Sequence, residues 1–482
     1  MGRAGAAAAG EIAMRYPAAL RRGALVLAGP GNNGGDGWVV ARALASAGVD
    51  VRVVAPAGVR SADCVAERDM ALSFPGVIQS EVGNAYTGEG VVVDALLGTG
   101  ADGPAHGAIT AAREVLEVAR KRGAFVVALD LPSGLDATTG DANDAASADT
   151  TITFGTIKRG HLVARGTCGT IVVVDIGLAA NMGGDDHISL ADSAWVASSL
   201  PPIDASAHKG TRKKLLLHGG APGMAGAVIL GLRAALRSGI GMTKANVDPA
   251  CVDAVHGAVP EALVGAWPAA DDSTRDDWAD VLVLGPGLGR ARDTRRAVEN
   301  AARRHAGPIL LDADALTVFE GSLDRLRAVV AGRSVLITPH PGELAQLTGE
   351  SIETVLARRF EIGVEVARKT GATVLLKGVP TIVSSPDGRR TVVAAGTPTL
   401  ATGGSGDLLA GIAGTLLAQM SDPRTAAAVA AWIHGRAAEL AGPRTRGTTL
   451  EDVLEMLPNA WAIDRTPLRY PVIAELPSVG AQ

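Results

Sequence analysis

Twice along the chain, short runs of aliphatic and β-branched residues alternate with helical stretches, and several runs close on glycine or aspartate. In the first half the runs are Leu25–Ala28, Val51–Val54, Val91–Asp94, Phe125–Ala128, Thr151–Phe154 and Ile171–Val174. They are continuous rather than alternating, which reads as strands buried on both faces. Helix candidates lie between them. One sets Val39, Val40, Ala43, Leu44 and Ala47 on one face, and another spans Ile109–Arg120. Strand and helix in alternation predict a mostly parallel sheet with right-handed crossovers. The second series comprises Leu215–Leu217, Val281–Leu284, Ile309–Asp312, Val335–Ile337, Val374–Leu376 and Thr391–Ala394. Thr381–Ser384, closed by Ser385-Pro386-Asp387-Gly388, pairs with the last of these as a hairpin. From Gly403 to about Ala441 the pattern is wholly helical.

A chain of 482 residues exceeds what one core of ~250–300 residues holds, so two domains are expected. The pattern lapses between Asn181 and Ala207, where Gly183-Gly184-Asp185-Asp186 and Pro201-Pro202 mark a junction with one short helix near Leu190–Leu200. The expected boundaries are a first domain over 1–180, a linker over 181–207, a second domain over 208–465 and a tail over 466–482. A net charge of −5, with no basic run, speaks against a nucleic-acid partner. No apolar run reaches the ~18 residues of a membrane span, and the N-terminus lacks the apolar core of a signal peptide. Cys64, Cys168 and Cys251 are far apart and read as buried free thiols, which suits the cytoplasm.

The clearest motif is the loop Gly29-Pro30-Gly31-Asn32-Asn33-Gly34-Gly35-Asp36-Gly37, set between a strand and a helix. Backbone N–H groups and the helix dipole favour an anion there, and glycine lets the backbone approach a ligand closely. Its spacing is neither that of a dinucleotide fingerprint nor that of a Walker loop. Two further strand ends carry polar groups, in Asp94-Ala95-Leu96-Leu97-Gly98-Thr99-Gly100 and Asp130-Leu131-Pro132-Ser133-Gly134-Leu135-Asp136. Such ends converge on one crevice in a doubly wound sheet, although Asp94 and Asp130 could each simply cap a helix. In the second half, Gly403-Gly404-Ser405-Gly406-Asp407 opens a long apolar helix. Glycines at a helix start make an anion hole, and an aspartate at its mouth can take a proton from a hydroxyl during phosphoryl transfer. Gly285-Pro286-Gly287-Leu288-Gly289, Thr338-Pro339-His340-Pro341-Gly342-Glu343 and Lys377-Gly378 each follow a strand. Lys377 can steer phosphates as a point charge. His434, on the late helix, reads as packing or capping.

The first-half motifs, with the tail Phe154-Gly155-Thr156-Ile157-Lys158-Arg159-Gly160, closely resemble the NAD(P)HX epimerase domain of the YjeF N-terminal family over about residues 1–180. The resemblance implies a Rossmann-like three-layer α/β/α domain. It would bind hydrated nicotinamide dinucleotide through Asn32, Asn33, Gly34, Gly35, Asp36, Gly98, Thr99, Gly100, Ala101, Asp102, Gly103, Pro104 and Asp130. It also implies a potassium ion on Asn33, Asp94 and Ser133, with Asp130 as the candidate acid/base at C6. In that family a longer segment precedes the Met1-Gly2-Arg3-Ala4-Gly5 element, which stands at the N-terminus in this sequence.

From His208-Lys209-Gly210, through Gly223-Met224-Ala225-Gly226-Ala227, to the glycine-rich anion hole, the second half resembles the ribokinase-like superfamily, and within it the ADP- or ATP-dependent NAD(P)HX dehydratases. That resemblance implies a C-terminal ribokinase-like α/β/α domain. Ala227, Gly287, His340 and Asp407 would line the hydrate site, with Asp407 as base. Lys377, Gly378, Val379, Pro380, Thr381 and Gly406 would line the adenine nucleotide, ADP or ATP, which brings magnesium. Two departures from the family pattern are the basic stretch Thr211-Arg212-Lys213-Lys214 and Lys244 at a position that is usually apolar.

Together the halves are expected to interconvert the R and S hydrates NADHX and NADPHX and to dehydrate the S form. The chain is expected to be a cytoplasmic homo-oligomer, a tetramer or larger, with small-molecule substrates. Two other readings stay open at this point. One is a vitamin-precursor kinase fused to a dinucleotide-binding regulatory module. The other makes the first domain a non-catalytic sensing module.

Overall fold

The computed structural model describes residues 1–81, 86–100, 107–142, 145–178, 188–267, 277–442 and 446–479. The chain divides into two compact units, Met1–Gly183 with Thr466–Gly480, and Gly184–Arg465.

In the first unit the strands are β1 (Ala24–Ala28), β2 (Val51–Val54), β3 (Val77–Ser80), β4 (Val91–Ala95), β5 (Phe125–Leu129), β6 (Thr150–Phe154) and β7 (Thr170–Val174). They form a parallel sheet in the order β7-β6-β5-β4-β1-β2-β3. Side chains of opposite parity feed two cores. Val26, Val93, Val127 and Leu129 pack with Trp38 and Leu44 on one face, and Leu25, Leu27, Val92 and Val126 pack with Leu116 and Ala119 on the other. Helices therefore cover both faces, which is why the strands read as unbroken apolar runs. The order reverses between β1 and β4, and the ligand crevice of an open α/β sheet lies outside the strand C-termini at such a switch point.

The tail expected over 466–482 instead carries a strand, Val472–Leu476, which pairs antiparallel with β7. It covers an edge that would otherwise present unpaired backbone groups. Arg15 Nη2 fastens it through Glu475 Oε2 at 2.7 Å.

The second unit holds β8 (Ile188–Leu190), β9 (Lys214–His218), β10 (Met242–Val247), β11 (Leu263–Ala266), β12 (Val281–Leu284), β13 (Ile309–Leu311), β14 (Val335–Ile337), β15 (Thr373–Leu376), β16 (Thr381–Ser384) and β17 (Arg390–Val393). Their order is β11-β10-β9-β12-β13-β14-β15-β16-β17-β8. The expected hairpin is present, with Ile382 opposite Val392 in an antiparallel pair. One face packs on the helices Ala225–Arg237, Ser405–Gln419 and Pro423–Leu440, and the other on Thr294–Arg304, Leu323–Val330 and Ile362–Thr370. The linker expected over 181–207 is likewise partly structured. β8 pairs with β17, and Asp192 caps the helix Ser193–Ser199 by accepting from Trp195 N–H at 2.7 Å. The edge of β17 supplies the reason, since β8 takes up backbone groups that would otherwise be unpaired.

The two basic departures find partners here. Lys213 Nζ stands 3.7 Å from Asp280 Oδ1, and Lys214 and Lys244 reach the Trp278 ring at 5.8 and 5.9 Å. All three cysteines are free and buried. Among the described residues no helix is long and apolar enough to cross a membrane.

Candidate active sites

In the first unit the glycine loop leaves β1, and the helix Asn32–Ser46 begins at its asparagine pair. Several of its glycines are dictated by packing. A Cβ on Gly29 would stand 1.7 Å from the Leu96 carbonyl oxygen, and one on Gly34 would stand 1.9 Å from that of Gly29. Gly31 differs, for a Cβ there meets nothing within 4 Å. The tight glycines press the helix onto the sheet, and the open one leaves room at the helix N-terminus.

Asn33 reaches across to the end of β4. Its Nδ2 donates to Leu97 O at 2.9 Å, while its Oδ1 is buried without a hydrogen-bond partner. Leu97 N–H in turn donates to Ser133 Oγ at 2.9 Å, and Ser133 Oγ donates to Asp94 Oδ1 at 2.6 Å. Ser133 N–H donates to Asp94 Oδ2 at 2.8 Å. Asp94 also accepts from Leu96 N–H, so it does fold the turn that follows β4. Burial pushes its carboxyl up, against the pull of the Ser133 bonds. Asn33, Ser133 and Asp94 thus form one connected cluster of oxygen donors around the Leu97 peptide. An orphaned amide oxygen and a wholly buried carboxylate suit a hard monovalent cation.

Asp130 directly follows β5 with a left-handed backbone, φ 63°. Its Oδ1 accepts from Lys158 Nζ at 2.5 Å and Thr153 Oγ1 at 3.2 Å, and its Oδ2 accepts from Thr99 N–H at 3.3 Å. Burial would raise this carboxyl, but Lys158 outweighs it and holds the group below the usual carboxylate range. His161 Nε2 meets the Asp130 carbonyl oxygen at 2.8 Å, and burial pushes that imidazole down to about 4. Asp36 behaves oppositely. Burial, with the nearby charges of Asp130 and Glu67, pushes it up to about 7, and its Oδ1 is buried without a partner. Gly98 closes the cluster, since a Cβ there would stand 3.2 Å from Asn33 and 3.4 Å from Asp130 Oδ2. Asn32 is exposed, and a Cβ on Gly100 meets nothing within 4 Å. Ala101, Asp102, Gly103 and Pro104 lie outside the described residues. Lys158 and Thr153 escaped the reading of the sequence. A lysine four positions past the end of a central strand is the signal that could have found Lys158.

In the second unit the helix Ser405–Gln419 starts after Gly404, whose φ is 96°. A Cβ on Gly406 would stand 3.2 Å from Lys377 Nζ. The end of β15 and the helix start are therefore adjacent, as the anion-hole reading requires. Asp407 sits in the first turn, and burial, reinforced by Asp312 and opposed by Lys377, pushes it up to about 7. Gly287, at φ 57°, lies against the start of the helix Ala225–Arg237, with Ala227 Cβ 3.1 Å from where its own Cβ would be. Gly378, Val379 and Pro380 form the loop into β16, with Val379 62% exposed, and Thr381 Oγ1 donates to Gly378 O at 3.1 Å.

His340 has a structural duty. It caps the helix Pro341–Thr348, its Nδ1 accepting from Gly342 N–H at 3.0 Å and Glu343 N–H at 3.2 Å. That fixes the ring, whose Nε2 stands 3.6 Å from Glu343 Oε1 beside an open groove of about 700 Å³ lined also by Arg290, Glu320 and Gln346. His434 is buried behind the helix start, its Nε2 3.4 Å from Ser405 Oγ. His208 accepts from Gly210 N–H in a local turn. Among the described residues no group of three or more His, Cys, Asp or Glu could hold a metal ion.

The fold and sites thus define an α/β protein of two units, the first with polar strand ends gathered at its glycine loop and the second with a lysine beside a glycine-rich helix start. Comparison with known families agrees. The family described as YjeF-related protein N-terminus matches residues 1–160, and that described as NAD(P)H-hydrate dehydratase matches residues 215–459. The bifunctional NAD(P)H-hydrate repair enzyme of Moorella thermoacetica is 35% identical over 90% of this chain and 86% of its own. That of Escherichia coli is 34% identical over 94% and 88%. The ADP/ATP-dependent NAD(P)H-hydrate dehydratase from Bacillus subtilis, co-crystallised with ATP and Mg²⁺, covers 57% of this chain and 98% of its own at 29% identity and TM-score 0.52. A ribokinase-like superfamily protein from Enterococcus faecalis matches in fold, with TM-score 0.50. The chain belongs to the family of bifunctional NAD(P)H-hydrate repair enzymes.

Proposed function

We propose that the first unit interconverts the R and S forms of hydrated NADH and NADPH, and that the second dehydrates the S form at the expense of ADP or ATP. The observation that carries the reading is Asp407, poised near neutrality at a glycine-rich helix start with Lys377 beside it. Ala227, Gly287 and His340 line the hydrate side of that cleft, and Lys377 to Thr381 with Gly406 the nucleotide side. Asp407 takes the proton of the hydrate's hydroxyl as its oxygen attacks the terminal phosphorus of the nucleotide. The phosphoryl oxygens, while charged, face the backbone N–H groups of the helix start. AMP or ADP is the nucleotide product; the phosphate then leaves as the C6–O bond breaks and a proton departs from C5, which restores the C5=C6 double bond of reduced nicotinamide. Magnesium bound to the nucleotide neutralises phosphate charge.

In the first unit Asp130, kept ionised by Lys158, serves as base at C6. Asp36, pushed up to about 7 and so about half protonated there, supplies the acid, and Asn32 to Asp36 with Gly98 to Gly100 face the hydrate. Asn33, Asp94 and Ser133 would hold a potassium ion, whose charge would offset that of the buried Asp94 carboxylate. The free thiols suit a cytoplasmic enzyme, and the expected assembly is a homo-oligomer, a tetramer or larger. The test supplies hydrated NADH with ADP or with ATP and follows the return of reduced-nicotinamide absorbance. No recovery with either nucleotide, alongside phosphorylation of a pyrimidine or thiazole alcohol, would sink the dehydratase reading.

A further inference from the structure

One buried carboxylate at the second site has no part in the scheme above. Asp312 directly follows β13 and is 1% exposed. Its Oδ1 accepts from Lys377 Nζ at 2.6 Å, from beyond β15, and from Thr338 Oγ1 at 2.8 Å, from beyond β14. Three adjacent strand ends are thereby tied together on a single oxygen. The Oδ2 atom turns toward the glycine-rich helix, 3.8 Å from where a Cβ on Gly406 would stand. The backbone here is held firmly. Ala313 is left-handed at φ 47°, a conformation alanine rarely adopts, and Asp314 Oδ2 accepts from Gly289 N–H at 2.9 Å. A strained residue kept in place at a strand end points to function more than to folding convenience.

We infer that Asp312 is a positioning residue for dehydration: it parks Lys377 at the mouth of the helix until a nucleotide phosphate claims the ammonium, and its own charge then strengthens Asp407 as base. The inference rests on the reading of Asp407 as the base. Lys377 lies in the field of three carboxylates, Asp312, Glu343 and Asp407. An arriving phosphate competes for it directly, since phosphate and ammonium meet at the same helix start. Once Lys377 has turned to the phosphate, Asp312 is less compensated, and the carboxyl of Asp407 in its field holds a proton more tightly. That happens when the substrate hydroxyl must give one up. Nucleotide binding and base strength are coupled by one side chain changing partners.

The charged groups facing Asp407 are Asp312 and Asp314 from the end of β13 and Lys377 from the end of β15. Glu343, from the helix Pro341–Thr348, acts on Lys377 and Asp312. His434, behind Ser405, is pushed by burial down to about 4 and stays neutral.

The experiment is the pH dependence of kcat/KM for hydrated NADH at saturating ADP, measured on the full chain, so that the titrating species already holds nucleotide. The variants are Asp312→Asn and Asp312→Glu, with Asp407→Asn as companion and melting curves to check folding. Asp312→Asn removes a like charge from Asp407, so the acidic limb should move down by about one pH unit while the plateau falls. Asp312→Glu keeps the charge and brings it nearer Gly406, so the limb should move up. If either folded variant loses rate with its acidic limb unmoved, Asp312 is merely structural and the inference is overturned. The Glu variant decides the matter should the Asn variant not fold. Asp407→Asn turning over at near the native rate would instead sink the base assignment, a separate failure.

Discussion

Lys158 Nζ lies 2.5 Å from Asp130 Oδ1, and both side chains are largely buried, at 16% and 13% exposure. Lysine is thus the reason a carboxylate survives ionised in the first crevice. Lys158→Met keeps the bulk and removes the charge. It should abolish epimerase activity, leave dehydratase activity unchanged, and destabilise the first unit on the order of 3 kcal/mol, since an uncompensated buried charge remains. The pH dependence has a definite sign. A carboxyl depressed in the folded state adds stability that is fully present above ~4 and is lost as pH falls through its native value. The gap in melting temperature between the two proteins should be widest at pH 7 and narrow on acidification.

Asn33 Oδ1 has no protein partner, and Asp94 is wholly buried. A cation binding there must stabilise the folded state by mass action. The melting temperature of the native protein should rise with potassium chloride and not with choline chloride. Asn33→Ala should weaken that response on the order of tenfold or more. Equal shifts in the native and Asn33→Ala proteins would remove Asn33 from the ion site.

Asp407 illustrates activity held against stability. In its proposed role as base it is needed ionised, so dehydration should fall as pH drops below about 7. Asp407→Asn should cost ~10²–10⁴-fold in kcat and leave epimerisation intact. A carboxyl raised in the folded state contributes stability at low pH that is lost as pH rises through its native value. Replacing it with a neutral amide should therefore raise the melting temperature at pH 8, by on the order of 2 kcal/mol in stability, and have little effect at pH 4.

Removing residues from Thr466 onward strips the strand Val472–Leu476 from β7 and breaks the Arg15–Glu475 ion pair. The newly bare edge offers a template for pairing with other chains. The shortened protein should lose epimerase activity and aggregate at lower temperature, while its dehydratase activity persists. Unchanged melting of the first unit would show that the strand is dispensable.

The central strands were legible because each is buried on both faces and so appears as an uninterrupted apolar run. The glycine loop, Asp94, Asp130 and the Gly403–Asp407 helix start stood out because glycines and polar groups gather at strand ends and a helix start, although Asp94 also folds the turn after β4. What escaped were elements whose role comes from a distant partner. Val472–Leu476 is a short strand among prolines, and only β7 makes it one. Met242–Val247 carries Thr243, Lys244 and Asn246 in its middle, which breaks the apolar pattern although its neighbours bury it. Asp312 was visible as the last residue of an apolar run, yet its meaning depends on Lys377, 65 positions later in the chain. His340 held a surprise of another kind, because its cap of Pro341–Thr348 is what aims the ring.

The return of the last strand to the first sheet makes the dehydratase unit, in chain topology, an insertion within the epimerase unit. On the ribosome, β1 to β7 emerge early and wait with the edge of β7 open until the entire second unit has been synthesised. No single cut between the units can release an intact first one, because the chain crosses between them twice. The two activities are therefore linked by the order in which the protein is made as well as by the substrate they share.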